Sequence, residues 1–176
     1  MKKKGSLWVS AVLYLALGLV VLTLVLTAGM PMISKMKDKN TVAQTKEIFY
    51  TLNENILEVV SEGPGSKRVL SPFEIKAGEF NIDSINSKII WQMTTTNELL
   101  EPGIEITEGP FKMLLSETNI VDEYELQLAM SYEDTTVLSD TSDILGPYSG
   151  RYTLTVTRTG WDTNLELPSI EIKLTG

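Results

Sequence analysis

The acidic side chains with the most chemistry to offer crowd into one stretch, EDTTVLSDTSDILGPYSG, which holds Glu133, Asp134, Asp140 and Asp143. Converging carboxylates are hard oxygen ligands, and calcium is the ion they would suit. The spacing does not build a calcium loop, however, which needs acids at alternate positions, a central glycine and a closing glutamate. The expectation is therefore a long, solvated loop with no metal. Asp134, Asp140 and Asp143 are the residues to inspect for a cation. Glu123 and Glu125 are two apart in EYELQLAMSY and its lead-in, so a strand would place them on one wet face. A glycosidase needs such a pair in a cleft beside aromatic rings, and no local pattern supplies one.

Other catalytic classes are narrowed by composition. The chain has no cysteine and no histidine. Disulfides, thiolate or imidazole metal sites and the usual Ser–His and Cys–His nucleophile pairs are thereby excluded. No SxxK accompanies the serines, and Gly63-Pro64-Gly65 and Gly109-Pro110 are turn punctuation without the GK[ST] or GxGxxG of a phosphate loop. A net charge of −8 repels phosphate backbones, which argues against nucleic acid as a partner. Neither an enzyme nor a cofactor is expected.

The elements that would carry any site begin with MKKKGSLWVSAVLYLALGLVVLTLVLTAGM. No charged residue occurs from Gly5 to Ser34. About 20 apolar residues in a helix span a bilayer, so this segment is long enough to cross with some tilt. Its apolar residues lie on all sides, which suits lipid or a helix bundle rather than a surface helix. It is too long for the apolar run of an ordinary secretory leader. Lys2, Lys3 and Lys4 precede it and Lys35, Lys37 and Lys39 follow it, a near balance that the amino terminus tips toward a cytoplasmic start. Trp8 and Tyr14 suit either an anchor at a membrane interface or simple packing in lipid or a helix bundle.

The helical pattern continues past the apolar segment. Val42, Phe49 and Ile56 recur every seventh residue, and Leu52 and Val59 do the same three positions later, giving one apolar stripe to pack on the protein's own domain. Gly63-Pro64-Gly65 ends it. One helix is thus expected from about Leu7 to about Ser61, roughly 80 Å long at about 1.5 Å per residue. A kink is expected at Gly29–Pro31, where Pro31 cannot donate to the Thr27 carbonyl.

After Gly65 the period changes to two. Tyr124, Leu126, Leu128, Met130 and Tyr132 alternate with polar neighbours, as do Tyr152, Leu154 and Val156, and Ile170, Ile172 and Leu174. Shorter runs occur at Phe80–Ile82, Ile89–Met93, Ile104–Ile106 and Phe111–Leu115. These are antiparallel strands with one wet face, and Gly160–Asn164 is the expected hairpin between the last two. The fold class is α+β, with a β-sandwich or open barrel as the head.

MKKKG followed directly by an apolar helix resembles the class III leader of type IV pilins, and its compact lysine–lysine–glycine form resembles the archaeal pilins and archaellins. The resemblance implies that a membrane peptidase recognises Lys3, Lys4 and Gly5 and cuts before Ser6, leaving the helix on the mature protein. It implies that Leu7, Trp8, Val12, Leu15, Leu19, Leu22 and Leu26 enter a filament core. It further implies that the later helix packs on a β-rich head that is often an immunoglobulin-like sandwich. The organisation is then a leader at 1–5, an apolar helix at 6–34, an amphipathic continuation at 35–62 and a head at 66–176. Many pilins carry glutamate at the fifth mature position, where this chain has Ser10, which cannot pair with a neighbour's terminal ammonium.

The function expected on this basis is a filament subunit, inserted in the membrane as a precursor and then polymerising with copies of itself on the cell surface, with the head exposed for adhesion. Its partners would be other copies, the leader peptidase, the assembly machinery and, before assembly, lipid. The alternative is an uncleaved single-span protein whose extracytoplasmic β-sandwich binds a partner or carbohydrate.

Overall fold

The computed structural model describes residues 4–142 and 146–176, with side-chain surroundings from Trp8 onward. It has the α+β organisation of one long helix followed by an eight-stranded sheet. Helix α1 runs Lys4–Glu62, and its assignment continues through Gly29 and Pro31. The chain divides into two compact units, Met1–Asp38 and Lys39–Gly176, with α1 contributing to both.

α1 stops because the chain turns left-handed at Gly63 (φ 103°), a conformation that costs glycine nothing, and Pro64 follows. Its last carbonyls are covered from outside the helix. The Ser66 hydroxyl lies 2.8 Å from the Val59 carbonyl oxygen, and the Arg158 guanidinium donates to the Val60 carbonyl. A cation is favoured at this end, where the helix dipole is negative.

The strands are β1 (Lys67–Asp83), β2 (Lys88–Thr95), β3 (Ile106–Glu108), β4 (Phe111–Glu117), β5 (Tyr124–Ser131), β6 (Val137–Asp140), β7 (Tyr148–Asp162) and β8 (Leu167–Thr175). Their order across the sheet is β3-β4-β5-β2-β1-β7-β8-β6. Every neighbouring pair is antiparallel except β6 and β8, which run parallel. β1 is the hinge strand. Its end, Glu79–Asp83, pairs with β2, while its beginning pairs with β7. The β1–β7 register slips between Leu70 and Phe73, across Pro72, which has no N–H to give, and again between Ile75 and Phe80.

Two expectations are revised. All eight strands join one hydrogen-bonded sheet rather than dividing between two. The apolar face of that sheet is covered by the second half of α1: Phe49, Leu52, Ile56 and Val59 are buried in one cluster with Trp91, Leu128, Leu154 and Ile172. A strand face needs one apolar cover, and here the helix stripe provides it. The sheet also curls until its far edge returns to the β1–β2 turn. The Leu138 amide donates to the Ser87 hydroxyl oxygen at 3.3 Å, and the Asp140 amide to that of Ser84 at 3.1 Å.

The second revision concerns the stretch expected to be a loop from Glu133 to Gly150. It contains β6 and the start of β7, and Leu138 and Tyr148 are buried within it. β7 also extends through Trp161 to Asp162, which moves the β7–β8 turn beyond the expected Gly160 start.

Candidate functional site

In the first unit the helix carries an unbroken apolar surface. An 18-residue window reaches a mean hydropathy of 2.7 with none of it buried. Trp8, Val12, Leu15, Leu19, Leu22 and Leu26 are between 48% and 77% exposed, and the intervening Leu13, Leu17, Val20, Val21, Leu24 and Val25 are comparably open. Covering a side chain of this kind is worth about 1.5–3 kcal/mol, so a dozen together represent on the order of 20–30 kcal/mol. That exceeds the roughly 5–15 kcal/mol that holds a whole domain folded. Left in water, this surface would dominate the protein's behaviour, and by length and composition the helix is long and apolar enough to cross a membrane.

Two threonine hydroxyls inside the segment are closed off. The Thr23 hydroxyl donates to the Leu19 carbonyl at 2.8 Å, and the Thr27 hydroxyl to the Thr23 carbonyl at 2.7 Å. Such back-bonding lets threonine enter a water-free environment without an unpaired hydroxyl. Of the expected leader residues, Lys3 lies outside the described residues; Lys4, Gly5, Ser6 and Leu7 fall in the first turns of α1.

In the second unit the helix is clasped by the head. Phe49 is fully buried and meets Phe80 edge-on at 5.6 Å and Phe111 at 6.5 Å, while Tyr50 meets Phe111 at 4.5 Å. Val42, at the start of the stripe, is half-buried against this cluster. Polar ties flank the rings. Lys46 Nζ lies 2.6 Å from the Glu108 carboxylate, and Lys76 Nζ donates to Gln44 Oε1 at 3.2 Å. Arg68 bridges Glu58 and Glu62, which hold its guanidinium firmly charged.

Arg158 was missed in the sequence although alternation marks it, and Tyr132, which the alternation did place, was not read as a residue that clasps the helix. Arg158 follows Leu154 and Val156 on the inward face of β7, and Tyr132 follows Leu126, Leu128 and Met130 from β5. A polar residue at an inward position needs a buried partner. Arg158 finds the Val60 carbonyl, and the Tyr132 hydroxyl donates to Asn53 Oδ1 at 2.9 Å. Burial pushes the Tyr132 phenol well above its ordinary pKa, which keeps the donor protonated.

The acidic candidates are dispersed. Glu133 pairs with Lys88 at 3.5 Å. Asp140 accepts from the Ser142 amide at 2.9 Å and the Tyr148 hydroxyl at 2.7 Å, so its oxygens serve the local fold. Burial raises the Tyr148 pKa; the hydrogen bond with Ser142 opposes the shift, and the Asp140 carboxylate adds to it. Asp134 lines an open groove on the outer face of β2, β4 and β5, and Asp143 lies outside the described residues. Glu123 is tied to the Thr118 hydroxyl at 2.8 Å, while Glu125 borders an open cleft of about 440 Å³ with Glu79 and Gln92. Among the described residues, no three acidic side chains gather as metal ligands would. The described surface that most needs a partner is therefore the apolar face of α1. Compared with known proteins, the chain matches no family model, no curated protein and no solved structure.

Proposed function

We propose that this chain is the structural subunit of a surface filament of the archaeal type IV pilus kind, inserted in the membrane as a precursor and polymerising through its apolar helix. One observation carries the reading. The helix whose first unit offers an uncovered apolar surface on all sides supplies, in its later turns, a wall of the head's own core. A tether needs no such integration, whereas a filament subunit must pass load from its assembled helix into its head. Copies related by a rotation and a rise that never close would bury the apolar surface in a dry bundle without any catalytic step.

In this reading Lys3, Lys4 and Gly5 address the leader peptidase, Ser6 becomes the new amino terminus, and lipid covers the helix until assembly. The head, exposed to solvent, makes the contacts of adhesion. Its single curled sheet is taken as the counterpart of the immunoglobulin-like sandwich in pilin heads, an assignment supported by the return of β6 to the β1–β2 turn.

The test is the intact mass and amino-terminal sequence of the protein recovered from its native membrane and surface fractions. The expected start is Ser6, and Gly5→Leu should retain the leader and abolish filaments. A start at Met1, with Gly5→Leu indistinguishable from the parent, would replace the filament subunit with an uncleaved single-span binding protein.

A further inference from the structure

The head carries an apolar slot and, separately, an apolar knob. The slot lies where α1 enters the head: Val42, Leu99, Leu100, Met113 and Leu126 line a cavity of about 100 Å³, with Lys39 at its mouth. A space of that size suits one aliphatic side chain, being somewhat smaller than the roughly 150 Å³ cavities that take benzene. Lys46 also borders it, but its ammonium is engaged by Glu108. Lys39 is exposed and carries its charge at the rim.

The knob is the β4–β5 turn. Val121 is 87% exposed and Ile120 63%, an unusual pair to hold out in water. The turn is rigidly made. The Thr118 amide donates to the Glu123 carbonyl at 3.0 Å, the Glu123 amide to the Ile120 carbonyl at 3.2 Å, and the Ile120 amide to the Thr118 hydroxyl oxygen at 3.2 Å. Asp122 takes a left-handed backbone (φ 60°), and its carboxylate directly follows the two apolar side chains. A tip fixed in advance loses little freedom on docking.

We infer that Val121, the more exposed residue of the Ile120–Val121 tip, enters the Val42–Leu99–Leu100 slot of a second copy, with Ile120 against its rim and the Asp122 carboxylate meeting Lys39. Size and charge both match: one apolar side chain followed by an acid faces a cavity for one aliphatic group rimmed by the Lys39 ammonium. Knob and slot are different surfaces, so in a filament the contact runs head-to-tail from subunit to subunit, whereas a two-fold pair with each knob in the other's slot would stop at a linked dimer. The inference rests on the filament reading and adds to it a contact between heads, distinct from the burial of the apolar helix.

The absence of native cysteine makes the test direct. Val121→Cys and Leu99→Cys are introduced together in the full chain, and filaments are oxidised and run on non-reducing gels. A ladder of linked subunits is expected, and no ladder from Ile85→Cys with Leu99→Cys, since Ile85 is an apolar turn residue even more exposed than Val121. Intact filaments with no ladder, or equal ladders from both pairs, overturn the head contact while leaving the filament reading standing. Parent protein that makes no filaments overturns both. A second measurement guards against a variant that misfolds: Val121→Asp should weaken subunit association roughly 10–100-fold, as loss of one or two buried aliphatic contacts would. The head's own melting should stay unchanged. Unaltered association in that variant also overturns the contact.

Discussion

Phe49→Ala tests whether α1 belongs to the head's core. Phe49 is 1% exposed and sits edge-on to Phe80 and Phe111. Emptying a fully buried phenylalanine site costs about 3–5 kcal/mol. The two edge-on ring pairs favour the upper half of that range, since each such pair is worth about 0.5–1.5 kcal/mol beyond area alone. Against a total of roughly 5–15 kcal/mol, a third or more of the head's stability is at stake. For a unit of this size the melting midpoint should fall by about 10–15 °C. Leu57→Ala is the control on the same helix: Leu57 is 51% exposed, and alanine is the better helix former, so the change should stay within about 1 kcal/mol. The assay is thermal and guanidinium unfolding of the full chain in mild detergent, followed by the emission of Trp91, which is fully buried, with Trp8 and Trp161 replaced by phenylalanine. Equal destabilisation by Phe49→Ala and Leu57→Ala would mean that the sheet holds its core without the helix.

Three further outcomes are expected. Arg158→Met should cost about 1.5–3 kcal/mol by removing a charged donor from the Val60 carbonyl, and should speed amide exchange in the last turn of α1; Arg151→Ala, at an exposed pair with Glu74, should cost under about 1 kcal/mol. Gly78→Ala should lower the melting midpoint sharply, because its backbone is left-handed and an added Cβ would lie 2.4 Å from the Gln92 carbonyl oxygen and 2.8 Å from Trp91 Nε1; Gly160→Ala, which has open space and no left-handed backbone, should be nearly silent. Tyr132 keeps its proton in the folded head but loses it near pH 10 once unfolded, so its contribution is full below about pH 10 and declines above it by up to about 1.4 kcal/mol per pH unit. Denaturation between pH 9 and 12 should show a shallower decline in Tyr132→Phe than in the parent, and an identical or steeper one would remove Tyr132 from the explanation.

Much of this architecture is legible in the residues. The sevenfold recurrence of Val42, Phe49 and Ile56 marks the stripe that the sheet covers, and the alternation in β5, β7 and β8 gives both strand type and inward face. The division into sheets is not legible, because a strand with one buried face reads the same whether a second sheet or a helix covers it. β6 is hidden for another reason. Val137–Asp140 is only four residues long, lies among Asp, Thr and Ser, and owes its strand form to parallel pairing with β8, nearly thirty residues later. β1 is obscured by Pro72 and Gly78, which read as breaks although the strand passes through both. The apolar helix is plain in the sequence, but the Leu99–Leu100 slot is not, since its walls come from four separate segments.

The strand order also sets a timetable. β6 bonds within the sheet only to β8, which is also the outer neighbour of β7. During synthesis at about 5–20 residues per second, β6 is made one to several seconds before the strand it needs. Until residues 167–175 emerge, Leu154 and Val156 have one flank open, and Phe49, Leu52, Ile56 and Val59 lack a finished sheet to cover them. Among the described elements α1 is made before every strand and β8 after the rest of the sheet, so the head's core stays open until those two have met.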